Sequence, residues 1–478
     1  MKVNSIDLYI LVTYMIGVVL WGMWIGRRQR DVTDYVVSGR DLPWWAILGS
    51  IVATETSTVT FLSIPGFAWG NDLTWLQLPM GFIIGRFVVA LLLLPRFFSG
   101  NFFTAYQVLH ERFGGATKTV TSLLFIITRT LADGLRLYLT AIVLWKVIGL
   151  DLRLSVICIG IATIVYTFVG GMRAVVWTDF VQFLVYMSGA VITLFVLGDA
   201  VDGGWSQILD AAGAQNKWQV FDFGFDWSNP HIFWAGLLGG TFLSIGSHGA
   251  DQLMVQRYLS SRSHRDARRA LIASGFVVFV QFAIFLVIGI GLWAFYEQHP
   301  PATPFEKGDH VFATFMVEKL PIGVCGIVLG AVFAAAMSTL SSSINSSATA
   351  LATDVLGMQP HDPRMLRAIR GLTVLFGLAQ ITVGAAGHWP DNVVGAVMSI
   401  AGFTTGIILG VFFLGALTRR VDQRAALTGL LIGLVGMTAV KFGTSLAWPW
   451  FALVGSSLTF VSGYLASFLF RTRSLSAR

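Results

Sequence analysis

The chain has 478 residues, of which 55% are hydrophobic and only 12% charged, with 51 Gly, 37 Phe and 16 Trp. Soluble proteins carry roughly 25% charged residues, so neither a soluble globular fold nor a disordered chain fits this composition. Two cysteines, both inside apolar runs, exclude a disulfide framework, and the net charge of +7 has meaning only once it is placed along the chain.

A membrane-spanning helix needs about 20 apolar residues. The sequence predicts 13 apolar helical runs, at 6–26, 42–68, 73–95, 117–148, 153–170, 174–198, 231–256, 268–296, 321–356, 366–386, 393–416, 425–443 and 448–470. The first run is followed by Arg27, Arg28 and Arg30 and lacks a small-residue cleavage site, so it reads as a retained helix. If the segment after it is cytoplasmic, alternation puts most basic residues on that side. These include Arg257, Arg262, Arg265, Arg268 and Arg269, then Arg364, Arg367 and Arg370, then Arg419, Arg420 and Arg424, and the tail residues Arg471, Arg473 and Arg478. The long opposite segment near 199–230 is acidic, with Asp199, Asp202, Asp210, Asp222 and Asp226 against Lys217. The expected orientation is N-terminus outside and C-terminus in the cytoplasm, in a plasma (inner) membrane. The excess charge is then topological and gives no reason to expect a nucleic-acid partner.

Arg86, Arg129 and Arg136 remain inside the runs. Intramembrane charge is rare and usually faces a cavity or a partner. The second run contains Ala53-Thr54-Glu55-Thr56-Ser57-Thr58 and then Pro65-Gly66. A polar, breakable stretch at mid-bilayer exposes carbonyls that can bind a cation or substrate, unless its hydroxyls simply bond back to the helix. The sixth run places Asp179 about two turns inside, where either a bound cation or an arginine would offset its charge. The ninth run crowds Ser338, Thr339, Ser341, Ser342, Ser343, Asn345, Ser346 and Ser347 after Ala334, Ala335 and Ala336. Those hydroxyls can replace the water shell of a small hard cation, or act as interhelical glue.

Arg129, Asp133 and Arg136 share one face of the fourth run. They form either a self-neutralised ladder or a guanidinium site for a carboxylate. Gln77, Ser247 and His248 are weaker polar signals, and His248 is either a packed polar residue or a proton relay. Asp251-Gln252 and Gln256-Arg257 close the seventh run as an interface anchor. No Walker motif, zinc spacing or nucleophile elbow with a triad context is present, so neither ATP drive nor enzymatic chemistry is expected.

Five segments together resemble the sodium:solute symporter family, whose members include sodium/glucose, proline, sialic acid, monocarboxylate and iodide cotransporters. They are ATETS (53–57), TAYQVLHERF (104–113), GGMRAVVWTDFVQ (170–182), DQLMVQRYLS (251–260) and STLSSSINS (338–346). The resemblance implies an all-α polytopic membrane protein with a five-plus-five inverted-repeat core and broken helices opening each repeat. Its parts would be an extra helix at 6–26, repeats at 42–198 and 231–416, and peripheral helices at 425–470. It implies a single transporter domain that takes sodium and a small polar solute from one side of the bilayer to the other.

The resemblance also implies site residues. One sodium ion would be held by the carbonyls of Ala53, Thr56 and Ala335 and the hydroxyls of Ser338 and Thr339. A second would be held by Asp179 with Ser338, Ser341 and Ser342, giving two sodium ions per cycle. Glu55 resembles the acidic residue of proline-type members and would aid sodium binding. Ser57, Thr60, Gln77, Ser247 and His248 would face the solute, with Arg129 or Arg136 reaching an anion. The aromatic pair of sugar transporters is missing at Ser247-His248, and the intramembrane Arg pair with the ATETS and VVWTD variants resembles members handling anions, so the implied solute is an organic anion such as a monocarboxylate or sialic acid, ahead of a sugar. A proton-coupled transporter using Glu55, Asp179 or His248, and a non-transporting sensor of the same fold, are the alternative readings.

Overall fold

The computed structural model describes residues 4–27, 29, 31–301, 303–305, 307–386 and 393–470. Arg28, Arg30, Arg471, Arg473 and Arg478, counted above toward orientation, lie outside them. The regular secondary structure of the described residues is helical, with one isolated bridge between Leu42 and Ser261.

In chain order the helices are α1 (Ser5–Gly26), α2 (Val32–Val37), α3 (Trp44–Glu55), α4 (Thr58–Gly70), α5 (Gln77–Leu92), α6 (Leu94–Phe97), α7 (Tyr106–Phe113), α8 (Gly115–Ile148), α9 (Leu152–Ala200) and α10 (Gly204–Ala214). They continue as α11 (Gly240–Gly249), α12 (Gln252–Leu259), α13 (His264–Gln298), α14 (Asp309–Glu318), α15 (Val324–Ala350), α16 (Met365–Ala385), α17 (Val393–Leu417), α18 (Gln423–Gly443) and α19 (Trp450–Leu469).

Among the described residues, 9 helices are long and apolar enough to cross a membrane, or 10 if the bent pair α3–α4 is one span. Three features separate this figure from the 13 predicted runs. The fifth and sixth runs fuse into α9, whose 49 residues would be about 70 Å long if straight. The fourth run, α8, carries Arg129, Asp133 and Arg136 in its middle. The seventh run is broken into α11 and α12.

Each break has a local cause. In α9 it falls at Gly171, with φ 50° and ψ −152°, a conformation that side chains resist. Its neighbour Gly170 lets the backbone of Gly26 on α1 come so close that a Cβ on Gly26 would meet the Gly170 Cα. The Tyr35 hydroxyl donates to the carbonyls of Thr167 (3.0 Å) and Phe168 (3.1 Å) beside this kink. The glycine pair of the 170–182 motif is thus a backbone device.

The predicted break in the second run falls at Thr56–Ser57. Thr56 (φ −84°, ψ 108°) and Ser57 (φ −101°, ψ 169°) are extended, and the two half-helices meet at 59°. In the seventh run, Ala250 and Asp251 leave the helix (Asp251 φ −94°, ψ 124°), and the Asp251 carboxylate caps α12 by accepting from Leu253 N at 2.8 Å.

The C-terminal end of α4 is closed by Lys217 from the acidic loop. Its ammonium donates to the carbonyls of Ala68 (3.4 Å), Trp69 (2.9 Å) and Asn71 (2.7 Å), and it sits 5.0 Å from the Trp293 ring. These are the orphan acceptors of a helix C-terminus. Partial burial pulls the Lys217 pKa below the ordinary lysine value.

At the opposite end, two sequence motifs meet at the foot of α15. Thr104 donates to Asp354, just beyond α15, at 2.8 Å. Gln252 binds the Phe103 carbonyl (3.0 Å) and the Ala105 N–H (2.7 Å). The 104–113 and 251–260 segments therefore seal one end of the bundle beneath α15.

Gly171→Ala is expected to cost about 1–3 kcal/mol of stability, because its Cβ would lie 2.5 Å from the Tyr35 carbonyl oxygen at a positive φ. A melting temperature in detergent equal to that of the parent protein would contradict this account of the kink.

Candidate functional site: a broken helix against a serine-rich helix

The site begins with carbonyls. Where α3 ends at Glu55, the carbonyls of its last turn lose their helical N–H partners. No water in a bilayer core replaces them. Hydroxyls of α15 do so instead. Ser338 Oγ donates to Ala53 O (2.8 Å) and contacts Ala335 O (3.1 Å). Thr339 Oγ1 donates to Thr54 O (3.1 Å) and lies 3.4 Å from Ala335 O. Both hydroxyl residues are buried. Ala53, Ala335, Ser338 and Thr339 thus come together as a shell of oxygens without carboxylates.

Thr56 joins from the break itself. Its hydroxyl accepts from Gln281 Nε2 of α13 (2.7 Å) and contacts the Tyr186 hydroxyl of α9 (3.2 Å). Gln281 and Tyr186 were not singled out from the sequence. Only their position across the break reveals them.

One turn along α15 lies Asp179 of α9, fully buried. Its Oδ2 accepts from Ser50 (2.7 Å), Thr54 (3.3 Å) and Ser342 (3.4 Å). It also pairs with Arg257 Nη2 at 2.9 Å. Arg257 Nε donates to Ser50 (2.8 Å), and its Nη2 also contacts Thr54 and Ser342. Among the described residues, Oδ1 of Asp179 has no hydrogen-bond partner. Ser341 turns its hydroxyl to Ser338 O (3.2 Å). The sequence reading put Arg257 in a cytoplasmic loop. The structure corrects this, because α12 carries it into the bundle at 1% exposure.

A cavity opens beside the break. Thr54, Glu55, Thr60, Arg129, Arg136, Ser247 and Asp251 line it, with Trp75 and Trp448 among its aromatic walls. Asp133 holds both arginines, Arg129 Nε and Arg136 Nη1 each at 2.6 Å, and Arg129 Nη1 is 3.7 Å from Asp251. The ladder expected on α8 is present, and both of its arginines still border open space. The N-termini of α4 and α12 both start at the breaks beside this cavity.

Three candidates from the sequence do not line the cavity. Ser57 is buried at the head of α4 and makes no side-chain cap there. Gln77 is a staple: it donates to Thr74 O (2.9 Å) and His231 O (2.8 Å) and accepts from Asp222 N (3.1 Å). His248 is fully buried. Its Nε2 is 2.9 Å from Glu55 Oε1 and 3.1 Å from Arg86 Nη2, and its Nδ1 is 2.6 Å from the Tyr258 hydroxyl. Glu55 Oε2 pairs in turn with Arg86.

Comparisons with known proteins bear on the family and the fold. The family model described as the sodium:solute symporter family matches residues 35–433. The sodium/sialic acid symporter SiaT of Proteus mirabilis (strain HI4320) is 29% identical over 97% of this chain and 95% of its own length. The human sodium/iodide cotransporter is 30% identical over 90% of this chain and 68% of its own. A solved structure of a Na+-coupled sialic acid symporter, in a substrate-bound outward-open state, superposes with a TM-score of 0.89 at 27% identity, covering 98% of each chain.

Thr339→Val bares the Thr54 carbonyl and is expected to cost about 1–3 kcal/mol, while Thr339→Ser retains the bond and most of the stability. Equal melting temperatures for the two variants would show that the hydroxyl does not close the break.

Proposed function

The chain belongs to the sodium:solute symporter family, and on that premise we propose that it carries a small organic anion inward with sodium by alternating access. The observation that carries the reading is the α3–α15 contact, where Ser338 and Thr339 meet carbonyls at a broken helix. Sodium prefers such hard oxygen donors. The carbonyls of Ala53, Thr56 and Ala335 with the hydroxyls of Ser338 and Thr339 hold the first ion. As sodium enters, the hydroxyl hydrogens rotate off the carbonyls and both oxygen types face the ion.

The second ion belongs at Asp179 with Ser338, Ser341 and Ser342. The Oδ1 of Asp179, unpartnered among the described residues, supports this, since Arg257 engages the other oxygen. The repeats run 42–198 and 231–416, with the N-terminus outside.

An anionic solute is supported by two features of the cavity. Arg129 and Arg136 border it, and guanidinium groups suit carboxylates. The loose 3.7 Å pair between Arg129 and Asp251 is the contact such a solute would replace. The half-helix α12 also begins at Asp251, on the cavity wall, and a helix N-terminus has the polarity that favours an anionic group. A monocarboxylate or a sialic acid fits both features.

Coupling follows from charge. Around the site, Arg86, Arg129, Arg136 and Arg257 pair with Glu55, Asp133, Asp179 and Asp251. A lone sodium ion unbalances that interior, and so does a lone anion. Bound together they offset one another, so each raises the other's affinity. Each sodium ion crossing a 100 mV potential adds about 2.3 kcal/mol of drive.

Two measurements test the reading. In a melting-temperature panel of sugars, amino acids and carboxylates, one carboxylate is expected to stabilise the purified protein only with sodium present, by about 2.7 kcal/mol at 100 times its Kd. Stabilisation by a neutral sugar alone would contradict it. Asp179→Asn is expected to lower the sodium Hill coefficient of uptake from about two toward one, which is the loss of one of two ions. An unchanged coefficient would remove the second site.

A further inference from the structure

We propose that the groove between the last turn of α1 and the kink of α9 binds an anionic phospholipid, with the phosphodiester between Arg27 and Arg173. The sodium and solute sites have no part in this inference.

The groove has a volume of about 610 Å³. Trp24 of α1 and Trp177 of α9 line it, with Arg27, Arg173 and Asp34 as charged groups. It lies beside the point where α1 and α9 touch through Gly26 and Gly170. Gln29, also on its wall, donates through Nε2 to the Gly170 carbonyl. Neither guanidinium is committed to a strong partner. Among the described residues Arg27 has no carboxylate partner and rests over the Trp24 ring, 5.2 Å from its centroid. Arg173 Nη1 pairs with Asp41 at 3.3 Å, and both of those side chains are about half exposed. An exposed pair of this kind is weak. The rest of the Arg173 fork is free for a phosphate oxygen, which a planar guanidinium recognises well.

The surroundings specify a lipid. The candidate span α1 ends at Gly26, so Arg27 stands at headgroup depth. Ile16, Leu20 and Trp24 are each more than half exposed and lie a turn apart on one face of α1, with Arg27 next in line. A phospholipid with its phosphate on Arg27 lays an acyl chain along that stripe, and a free phosphate leaves the stripe bare. Trp45 stacks edge-on 5.3 Å from Trp177 and is itself exposed, which extends the aromatic belt expected at an interface. Basic grooves between spanning helices are suited to anionic headgroups. The groove also selects among them. Gln29 Oε1 is buried and has no hydrogen-bond partner among the described residues, so it can accept from a headgroup hydroxyl. Asp34 adds a second acceptor and disfavours a doubly charged anion. A singly charged phosphodiester with a glycerol headgroup meets all of these conditions. A choline headgroup offers no hydroxyl and cancels the charge that the arginines recognise. The bound lipid would bridge α1 and α9 beside Gly171 and brace the kink there.

The test uses delipidated full-length protein in detergent, without sodium or solute, so that its outcome is separate from that of the transport reading. Melting temperature is followed while phosphatidylglycerol, phosphatidylcholine with the same acyl chains, or inorganic phosphate is added. The wild type is expected to show a saturable rise with phosphatidylglycerol alone. Arg27→Gln and Arg173→Gln should each raise the phosphatidylglycerol needed for half the shift by about tenfold, the effect of losing one charge-assisted hydrogen bond. Arg268→Gln, an exposed arginine at the start of α13, should leave the response unchanged. Arg27 is exposed, so its variant decides the matter if Arg173→Gln fails to fold. An equal rise with phosphatidylcholine would overturn headgroup recognition. An equal rise with inorganic phosphate would overturn the lipid. No rise with phosphatidylglycerol, an unaltered response in Arg27→Gln, or an equal loss in Arg268→Gln would overturn the groove as the site.

Discussion

A backbone carbonyl cannot be left bare inside a bilayer, and the break between α3 and α4 creates several. Ser338 and Thr339 of α15 cover them at 2.8 and 3.1 Å. Much of the architecture serves that contact. Along the described part of α15 from Cys325 to Ala350 nearly every residue is buried, and small residues such as Ala334, Ala335 and Ala336 let it approach α3 and α9 closely. Tyr166 of α9 adds a bond to Met337 O (3.1 Å). The kink at Gly171 redirects α9 so that Asp179 arrives beside Ser342. The same polar oxygens that close the break are those the proposed sodium ion would use, so under that reading the site would exchange one set of partners for another without exposing either.

The second organising constraint is charge. Four arginines and four carboxylates sit near the breaks and pair among themselves. An unpaired charge in the bilayer is costly, and the pairing makes the interior sensitive to each ion that enters. On the proposed reading, a bound sodium ion and a bound anion would be terms in one electrostatic balance. Their affinities would then depend on each other without a dedicated mechanical linkage.

Much of this was legible in the sequence because it is local. The polar stretch 53–58 predicted the first break, and it falls at Thr56–Ser57. The hydroxyl cluster from Ser338 and the i, i+4, i+7 ladder on α8 were visible as patterns on single helices, and both form as contacts. What was hidden depends on tertiary meeting. Glu55 is 31 residues from Arg86 and 193 from His248, so no window of sequence joins them. Arg257 sits in a basic segment and reads as an orienting surface charge, until α12 turns it back onto Asp179. Gln77 reads as a pocket residue, and the acidic loop captures it instead through Asp222. The number of spans was blurred for related reasons, since a glycine kink leaves two runs in one continuous helix and charges disguise α8.

Reciprocity between sodium and solute tests the account most directly. Once the stabilising carboxylate is known, its Kd is measured at low and at saturating sodium, and the sodium Kd is measured with and without it. The account predicts that both affinities change by the same factor, between about 5-fold and 150-fold, corresponding to 1–3 kcal/mol of coupling. A solute affinity that does not change with sodium would contradict it, because the balanced charges around the break would then not be what joins the two ligands.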